Sequence, residues 1–413
     1  MLEQVKTDEK RLEDYLPIIG EASVEEIRAL AAPLKGARVL HVNATAFGGG
    51  VAEILGALVP LMRNVGLEAE WQVIHGEDEF FNVTKSFHNA MQGAEVPLTD
   101  EAKEIFNRYD RQNADALEGD YDFIVMHDPQ TAAMLHFHGR TGGKHWIWRC
   151  HIDTSTPYPP VWNFLQPYLE LYDAGVFTME QYVYGDLHFP TLAIIHPTID
   201  PLSPKNRPQT PEQSREIISH FGIDTQRPML VQVSRFDPWK DPLGVIDAYR
   251  MVKEQIPDLQ LALVGSMASD DPEGWDYYER TIRHAGEDYD IHILHNLHGV
   301  GNVEVNAFQS AADVVIQKST REGFGLVVTE ALWKGKPVIG GNVGGIPLQV
   351  IDGETGYLVD SPETCAERAL HLLRHPEEVR SMGHRAREHV RHNFLITHHL
   401  KDYLELFRRL SGR

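Results

Sequence analysis

Glu322 and Glu330 stand eight positions apart, with Gly323 and Gly325 between them, in the stretch Arg-Glu-Gly-Phe-Gly-Leu-Val-Val-Thr-Glu-Ala-Leu at 321–332. The apolar run 313–317 before it reads as a strand, and the residues after Gly325 read as a helix. A strand, a glycine loop and a helix together present unbonded N–H groups to an anion. Here those groups belong to Phe324, Gly325, Leu326 and Val327. Gly323 and Gly325 let the backbone come close to a ligand and accept positive φ. Glu322 sits in the loop. Glu330 falls about two turns later, out of reach of the same ligand atom but near enough to hold the ligand's far end.

A second group sits beyond the apolar run 229–234, in the sequence Ser-Arg-Phe-Asp-Pro-Trp-Lys at 234–240. Arg235 offers planar bidentate contacts and Lys240 a point charge, a pair of cations suited to an anionic ligand. A solvated loop with two surface cations is the bland alternative. In a chain with 38 Lys and Arg against 60 Asp and Glu, net −22, two cations at one strand end favour function.

Two further strand ends carry polar chemistry. Asn43 closes a strand at 37–43 and leads into Gly48, Gly49 and Gly50, which open a helix whose apolar face runs through Val51, Ile54, Leu55, Leu58, Met62 and Val65. Consecutive glycines point to close approach of a ligand, and the spacing is not that of a dinucleotide fingerprint. The strand at 145–150 ends in Arg149-Cys150-His151-Ile152-Asp153, where His151 and Asp153 can both reach a ligand. Pro157, Pro159, Pro160 and Trp162 then read as a stiff aromatic wall, whereas Trp146 and Trp148 read as core. His127-Asp128 ends the strand 122–127 and has two readings: a lining for the same site, or a cap on a helix at 130–137.

These segments recur as strands alternating with helices, which predicts an α/β chain with parallel sheets. Ligands on such sheets sit beyond the carboxyl ends of the strands. Residues 5–32 read as polar helical lead-in. The Pro-, Ser- and Asn-rich run after the strand at 191–195 marks a boundary near residue 200, and 413 residues are too many for one core. Two literal Asp-x-Asp triplets, at 120–122 and 288–290, precede strands and read as turns. His295 and His298 have no carboxylate or thiol nearby, so no metal is expected.

The charge balance excludes a nucleic-acid backbone or an anionic membrane as partner. Cys150 and Cys365 are far apart, which predicts a reducing compartment. The charged segment 1–16 lacks a signal-peptide core and no stretch is long enough to span a membrane, so a cytoplasmic protein is expected.

The Glu-x7-Glu segment, the Ser-Arg-x4-Lys segment and the Asn-Val-Gly-Gly-Ile-Pro run at 342–347 resemble the retaining GT-B glycosyltransferases, the large family of sucrose synthase, glycogen synthase relatives and trehalose synthases. The resemblance is strongest over 231–359. Through Arg149-x-His151-x-Asp153 it narrows to the trehalose-forming members, namely trehalose glycosyltransferring synthase and its relative trehalose phosphorylase. It implies two Rossmann-like domains facing a central cleft. These would be an acceptor-side domain at 1–200, a nucleotide-sugar domain at 201–392 and a C-terminal helix at 393–413 crossing back to the first domain. It further implies transfer of glucose from a nucleoside diphosphate glucose (UDP, ADP or GDP) to glucose, with no cofactor and a homodimer. Arg235, Lys240, Glu322, His151 and Asp153 would be catalytic. Gly49, Gly50, Gly323, Phe324, Gly325, Leu326, Val327 and Glu330 would bind the donor. Asn43, His151 and Asp153 would bind the acceptor. Phosphorolysis, a different acceptor, or a silent nucleotide-sugar sensor remain alternatives.

Overall fold

The computed structural model describes all residues except 1, 186, 268–271 and 413. Contacts divide the chain into two units, one of Met1–Thr198 with Ile396–Arg413 and one of Ile199–Leu395.

The first unit holds a seven-stranded sheet. Its strands are β1 (Glu3–Gln4), β2 (Arg38–Asn43), β3 (Glu68–Val73), β4 (Tyr121–His127), β5 (Gly143–Arg149), β6 (Ala174–Phe177) and β7 (Thr191–Ile194), in the order β1-β3-β2-β4-β5-β6-β7. All neighbours are parallel except β1, which pairs antiparallel with β3 at the edge. The second unit holds six parallel strands: β8 (Met229–Val233), β9 (Gln260–Val264), β10 (Ile291–Leu294), β11 (Val314–Gln317), β12 (Val338–Gly341) and β13 (Gly356–Val359), in the order β10-β9-β8-β11-β12-β13. This is the α/β, parallel-sheet class expected. Strands buried on both faces read as continuous apolar runs, and Met229–Val233 and Gln260–Val264 are buried at every position.

In both units the order reverses beside the first long strand, between β2 and β4 and between β8 and β11. At such a reversal the helices leave on opposite faces and the loops part, which opens a crevice at the strands' carboxyl ends. The candidate residues except Glu330 lie at, or next to, these two places, Asn43 at the end of β2, Gly50, Leu326 and Val327 in the first turn of a helix and the others on the connections between.

Three sequence expectations need correction. The lead-in is not helical from residue 5: β1 precedes it, the Val5 N–H donates to Trp71 O at 2.8 Å, and helix starts only at Leu12. The helix expected at 130–137 is two short pieces, Pro129–Thr131 and Met134–His138. Strand β6 is the four-residue Ala-Gly-Val-Phe, too short and glycine-interrupted to register as a strand.

The last helix, Ile396–Ser411, packs on helices Glu21–Ala31 and Gly50–Asn64 of the first unit. Its Phe407 ring stacks on Phe123 of β4, centroids 4.3 Å apart and 19° between planes, and both side chains are buried. Truncating a packed aromatic leaves a cavity that the sheet cannot close. Phe407→Ala is expected to lower unfolding free energy by about 3–5 kcal/mol. Urea denaturation checks this, and a loss below about 1 kcal/mol would show that the helix is dispensable to the first unit.

Candidate active site

In the second unit the loops after β8 and β11 run side by side because those strands are neighbours. The Thr320 N–H donates to Trp239 O at 2.8 Å, which ties one loop to the other. Asp237 Oδ1 accepts from the Trp239 and Lys240 N–H groups, and Gln232 donates to Lys240 O at 2.7 Å. So held, Lys240 Nζ lies 2.7 Å from Glu322 Oε2, with both side chains largely covered. Ser319 Oγ approaches the same oxygen at 3.4 Å. Arg235 is exposed and pairs with Asp237 at 3.3 Å. The neighbouring Lys318 is buried and paired with Asp241.

Of the two loop glycines only Gly325 takes a positive φ, 83°, as cap of helix Leu326–Trp333. The expectation for Gly323 is therefore corrected: its carbonyl accepts from Gly345 N–H at 3.2 Å. A Cβ on Gly345 would stand 2.8 Å from Phe324 Cα, so that close approach requires glycine. Gln349 donates to Phe324 O at 2.5 Å and accepts from Thr329, which fixes the loop to its helix.

Glu330 is buried and held by Lys205 at 3.3 Å and Gln309 at 3.4 Å. Beside it Lys334 Nζ donates to Asn206 Oδ1 at 3.1 Å and Glu330 O at 3.2 Å. Burial pushes the Lys334 amine down to about 7, against the pull of Glu330.

In the first unit three histidines form a chain. His41 Nδ1 is 3.0 Å from His127 Nε2, and His127 Nδ1 is 3.0 Å from His151 Nε2. His41 and His127 come from adjacent strands, and His151 follows β5, the next strand over. Burial first, and the nearby Arg149 cation after it, hold His127 and His151 below the ordinary imidazole value, while burial takes His41 down to about 3. Asp128 adopts φ 61°, rare for a residue with a side chain, and its Oδ1 accepts the His151 N–H at 2.7 Å. It does not cap the short helix that follows, which corrects the capping alternative. Asp153 is nearly buried, and its Oδ1 accepts from the Ser155 N–H and hydroxyl, at 3.0 and 2.6 Å. Its Oδ2 has no partner among the described residues.

Asn43 is engaged within the fold, donating to Thr45 O at 2.8 Å and accepting from the Trp71 indole at 2.7 Å. Gly48 and Gly49 have positive φ, and the glycine loop is open, with nothing within 4 Å of a Cβ at Gly48 or Gly49. Trp162 is buried, edge-on to Tyr184, so it belongs to the core and not to an exposed wall. Trp146 and Trp148 are core, as expected.

A trehalose synthase N-terminal domain family matches residues 41–184, and the glycosyl transferases group 1 family matches 213–389. A trehalose synthase of Rubrobacter xylanophilus is 55% identical, with all of both chains covered. The chain belongs to the trehalose synthase family. A trehalose phosphorylase of Pleurotus pulmonarius is more distant, 27% identical over 92% of this chain and 58% of that one. A sucrose-phosphate synthase from Thermosynechococcus elongatus is similar in structure at TM-score 0.71, 18% identical, covering 91% of this chain and 99% of the other. That likeness speaks to fold alone, the GT-B class expected.

In this trehalose synthase family member, sequence reasoning missed Lys205, Lys318, Gln349 and His41. Lys205 lies in a linker-like run, and the other three sit inside apolar or glycine-rich segments where polarity reads as noise. Three of the four Asp-x-Asp carboxylates are engaged in ion pairs: Asp122 with Lys144 at 2.6 Å, Asp288 and Asp290 with Lys253 at 2.7 and 2.9 Å. His371, His375 and Glu378 have atoms within 4.8 Å of one another that could hold a metal ion, a grouping that the sequence reading overlooked.

Burial raises the Asp128 carboxyl from 3.8 to about 7, against its hydrogen bond from His151 and the charge of Arg149. The folded state then holds a proton that the unfolded state has lost. The stability this represents is present below about pH 4 and is lost as pH rises through about 7. Asp128→Asn keeps an acceptor for the His151 N–H and removes the charge. Its stability relative to wild type is expected to improve by about 1–3 kcal/mol between pH 5 and pH 8. Thermal unfolding at both pH values checks this, and an offset independent of pH would contradict it.

Proposed function

We propose that the protein transfers glucose from a nucleoside diphosphate glucose to the anomeric hydroxyl of free glucose, giving α,α-trehalose with retained configuration, reversibly. One observation supports this most: Lys240 and Glu322, 82 residues apart, meet at 2.7 Å beside the open helix end at Gly325, in a chain similar over its full length to a trehalose synthase.

In this reading the second unit takes the donor. Arg235, Lys240 and the amides of Gly323 to Val327 balance the charge that grows on the diphosphate as the bond from sugar C1 to phosphate oxygen breaks. Glu322 orients the glucose hydroxyls, and Glu330, positioned by Lys205, takes the ribose. The first unit supplies Gly49 and Gly50 beside the phosphates, and His151 and Asp153 for sugar hydroxyls. No carboxylate stands ready as a nucleophile. We infer front-face displacement: the acceptor oxygen attacks C1 from the side the diphosphate leaves, and its proton passes to a departing phosphate oxygen. The enzyme's contribution is then position and charge balance. The substrates are small sugars and a nucleotide sugar with UDP, ADP or GDP as carrier, with no added cofactor. We place the protein in the cytoplasm as a homodimer, and among the described residues no helix is long and apolar enough to cross a membrane.

Phosphorolysis is the second reading, kept open by the likeness to a phosphorylase. Product analysis separates the two. With trehalose and a nucleoside diphosphate, nucleotide glucose should form. Glucose 1-phosphate formed from trehalose and inorganic phosphate alone would establish phosphorolysis. Glu322→Ala is expected to lower kcat by about a hundredfold or more while nucleoside diphosphate affinity holds or rises, because Lys240 loses the carboxylate that competes for it. Loss of nucleotide affinity with kcat unchanged would show that Glu322 serves binding only.

A further inference from the structure

We propose that His127 and His41 are positioning residues that hold His151 with its proton on Nδ1, so that His151 meets a sugar hydroxyl as a hydrogen-bond donor. The sugar-binding part of this statement rests on the proposed function; the tautomer does not.

Each link in the chain joins two ring nitrogens at 3.0 Å, so each needs one N–H and one lone pair. All three rings are held neutral by burial, with the Arg149 cation adding to the effect on His127 and His151. A neutral imidazole carries one proton, so the polarity of one link sets the next. Only two arrangements exist. In the first, His41 donates to His127, His127 donates to His151, and the His151 proton lies on Nδ1. In the second every donor is reversed, and His41 Nε2 carries the proton at the inner end.

The inner end decides between them. His41 Nε2 is sealed from solvent and has no hydrogen-bond partner among the described residues. Its ring lies against His127 and, edge-on at 5.6 Å between centroids, Tyr403. The second arrangement would bury an N–H with no acceptor, whereas the first buries only a lone pair. Orphaned buried N–H groups are the rarer and costlier of the two. The proton order therefore runs outward, and the outer end is fixed in place: the His127 and His151 rings stack 11° from parallel, and Asp128 holds the His151 backbone at 2.7 Å. Nδ1 of His151 has no partner among the described residues and is not among their sealed, unpartnered atoms, so it faces outward.

The chemical consequence is definite. His151 with a proton on Nδ1 cannot accept one there from an attacking hydroxyl. Passing a proton inward would require it to leave at His41, where nothing receives it. The chain is a dead-end relay, and it leaves the acceptor's proton to the departing phosphate.

The test reads proton positions directly in the full-length enzyme without substrates. Long-range proton–nitrogen spectra of protein labelled with nitrogen-15 in histidine would be recorded, with His151 assigned by its loss in His151→Gln. The native spectrum should show the His151 proton on Nδ1. His127→Leu removes the donor and should shift His151 toward the other tautomer, with kcat falling about tenfold to a hundredfold. His127→Gln can accept from His41 and donate to His151, so it should restore both the spectrum and most of the rate. A native His151 proton on Nε2 overturns the inference, as does a spectrum of His151 unchanged in a folded His127→Leu protein. Because these spectra involve no turnover, failure to make trehalose would sink the proposed reaction and leave the tautomer assignment standing.

Discussion

A parallel sheet whose order reverses beside its first long strand forces the loops on either side of the reversal to part at the carboxyl ends. That constraint places everything else. In the second unit it brings Lys240, after β8, against Glu322, after β11, although 82 residues separate them. In the first unit it brings His41 on β2 against His127 on β4, with His151 one strand further. The hydrogen bond from Thr320 to Trp239 and the Gln349 clamp tie these loops down; the strand order sets their positions in the first place.

The candidate residues of the two units handle charge differently. The second unit pairs its cations: Lys240 with Glu322, Lys318 with Asp241, Lys205 with Glu330. Removing one member of a covered pair leaves the other uncompensated, so these side chains hold each other in position. The first unit instead neutralises by burial. Burial keeps His41, His127 and His151 neutral, raises the Asp128 carboxyl to about 7, and among the described residues leaves buried Arg149, which donates to Ile195 O, with Nε and Nη1 unpartnered. Such a set of unmet polar groups and a strained Asp128 costs stability, about 1–3 kcal/mol for the backbone alone. Strain of that kind is retained where geometry matters more than stability.

The sequence carried the strands that are buried on both faces, because their apolar runs need no partner to be recognised. It carried the second unit's loops too, since Ser-Arg-x4-Lys and Glu-x7-Glu are compact motifs bounded by strand and glycine. It did not carry β1 or β6, whose two and four residues gain strand character only from their neighbours. His41 escaped notice because a histidine inside Val-Leu-His-Val-Asn reads as an interruption of a strand, and its meaning depends on what the adjacent strand places opposite. Trp162 was over-read for a related reason: an aromatic residue beyond a strand end can serve the core as well as a ligand, and only its partners tell.

Pairing also explains how a chain of net −22 can hold an anionic substrate. A free lysine at an open helix end would collect any phosphate in solution. Lys240 already lies 2.7 Å from Glu322, so an incoming phosphate oxygen must compete with a carboxylate. The competition is favourable only if the ligand offers Glu322 something in return, and a sugar hydroxyl, as donor, does so. In the proposed reading the same ion pair favours a diphosphate that carries a sugar over one that does not, before any chemistry begins.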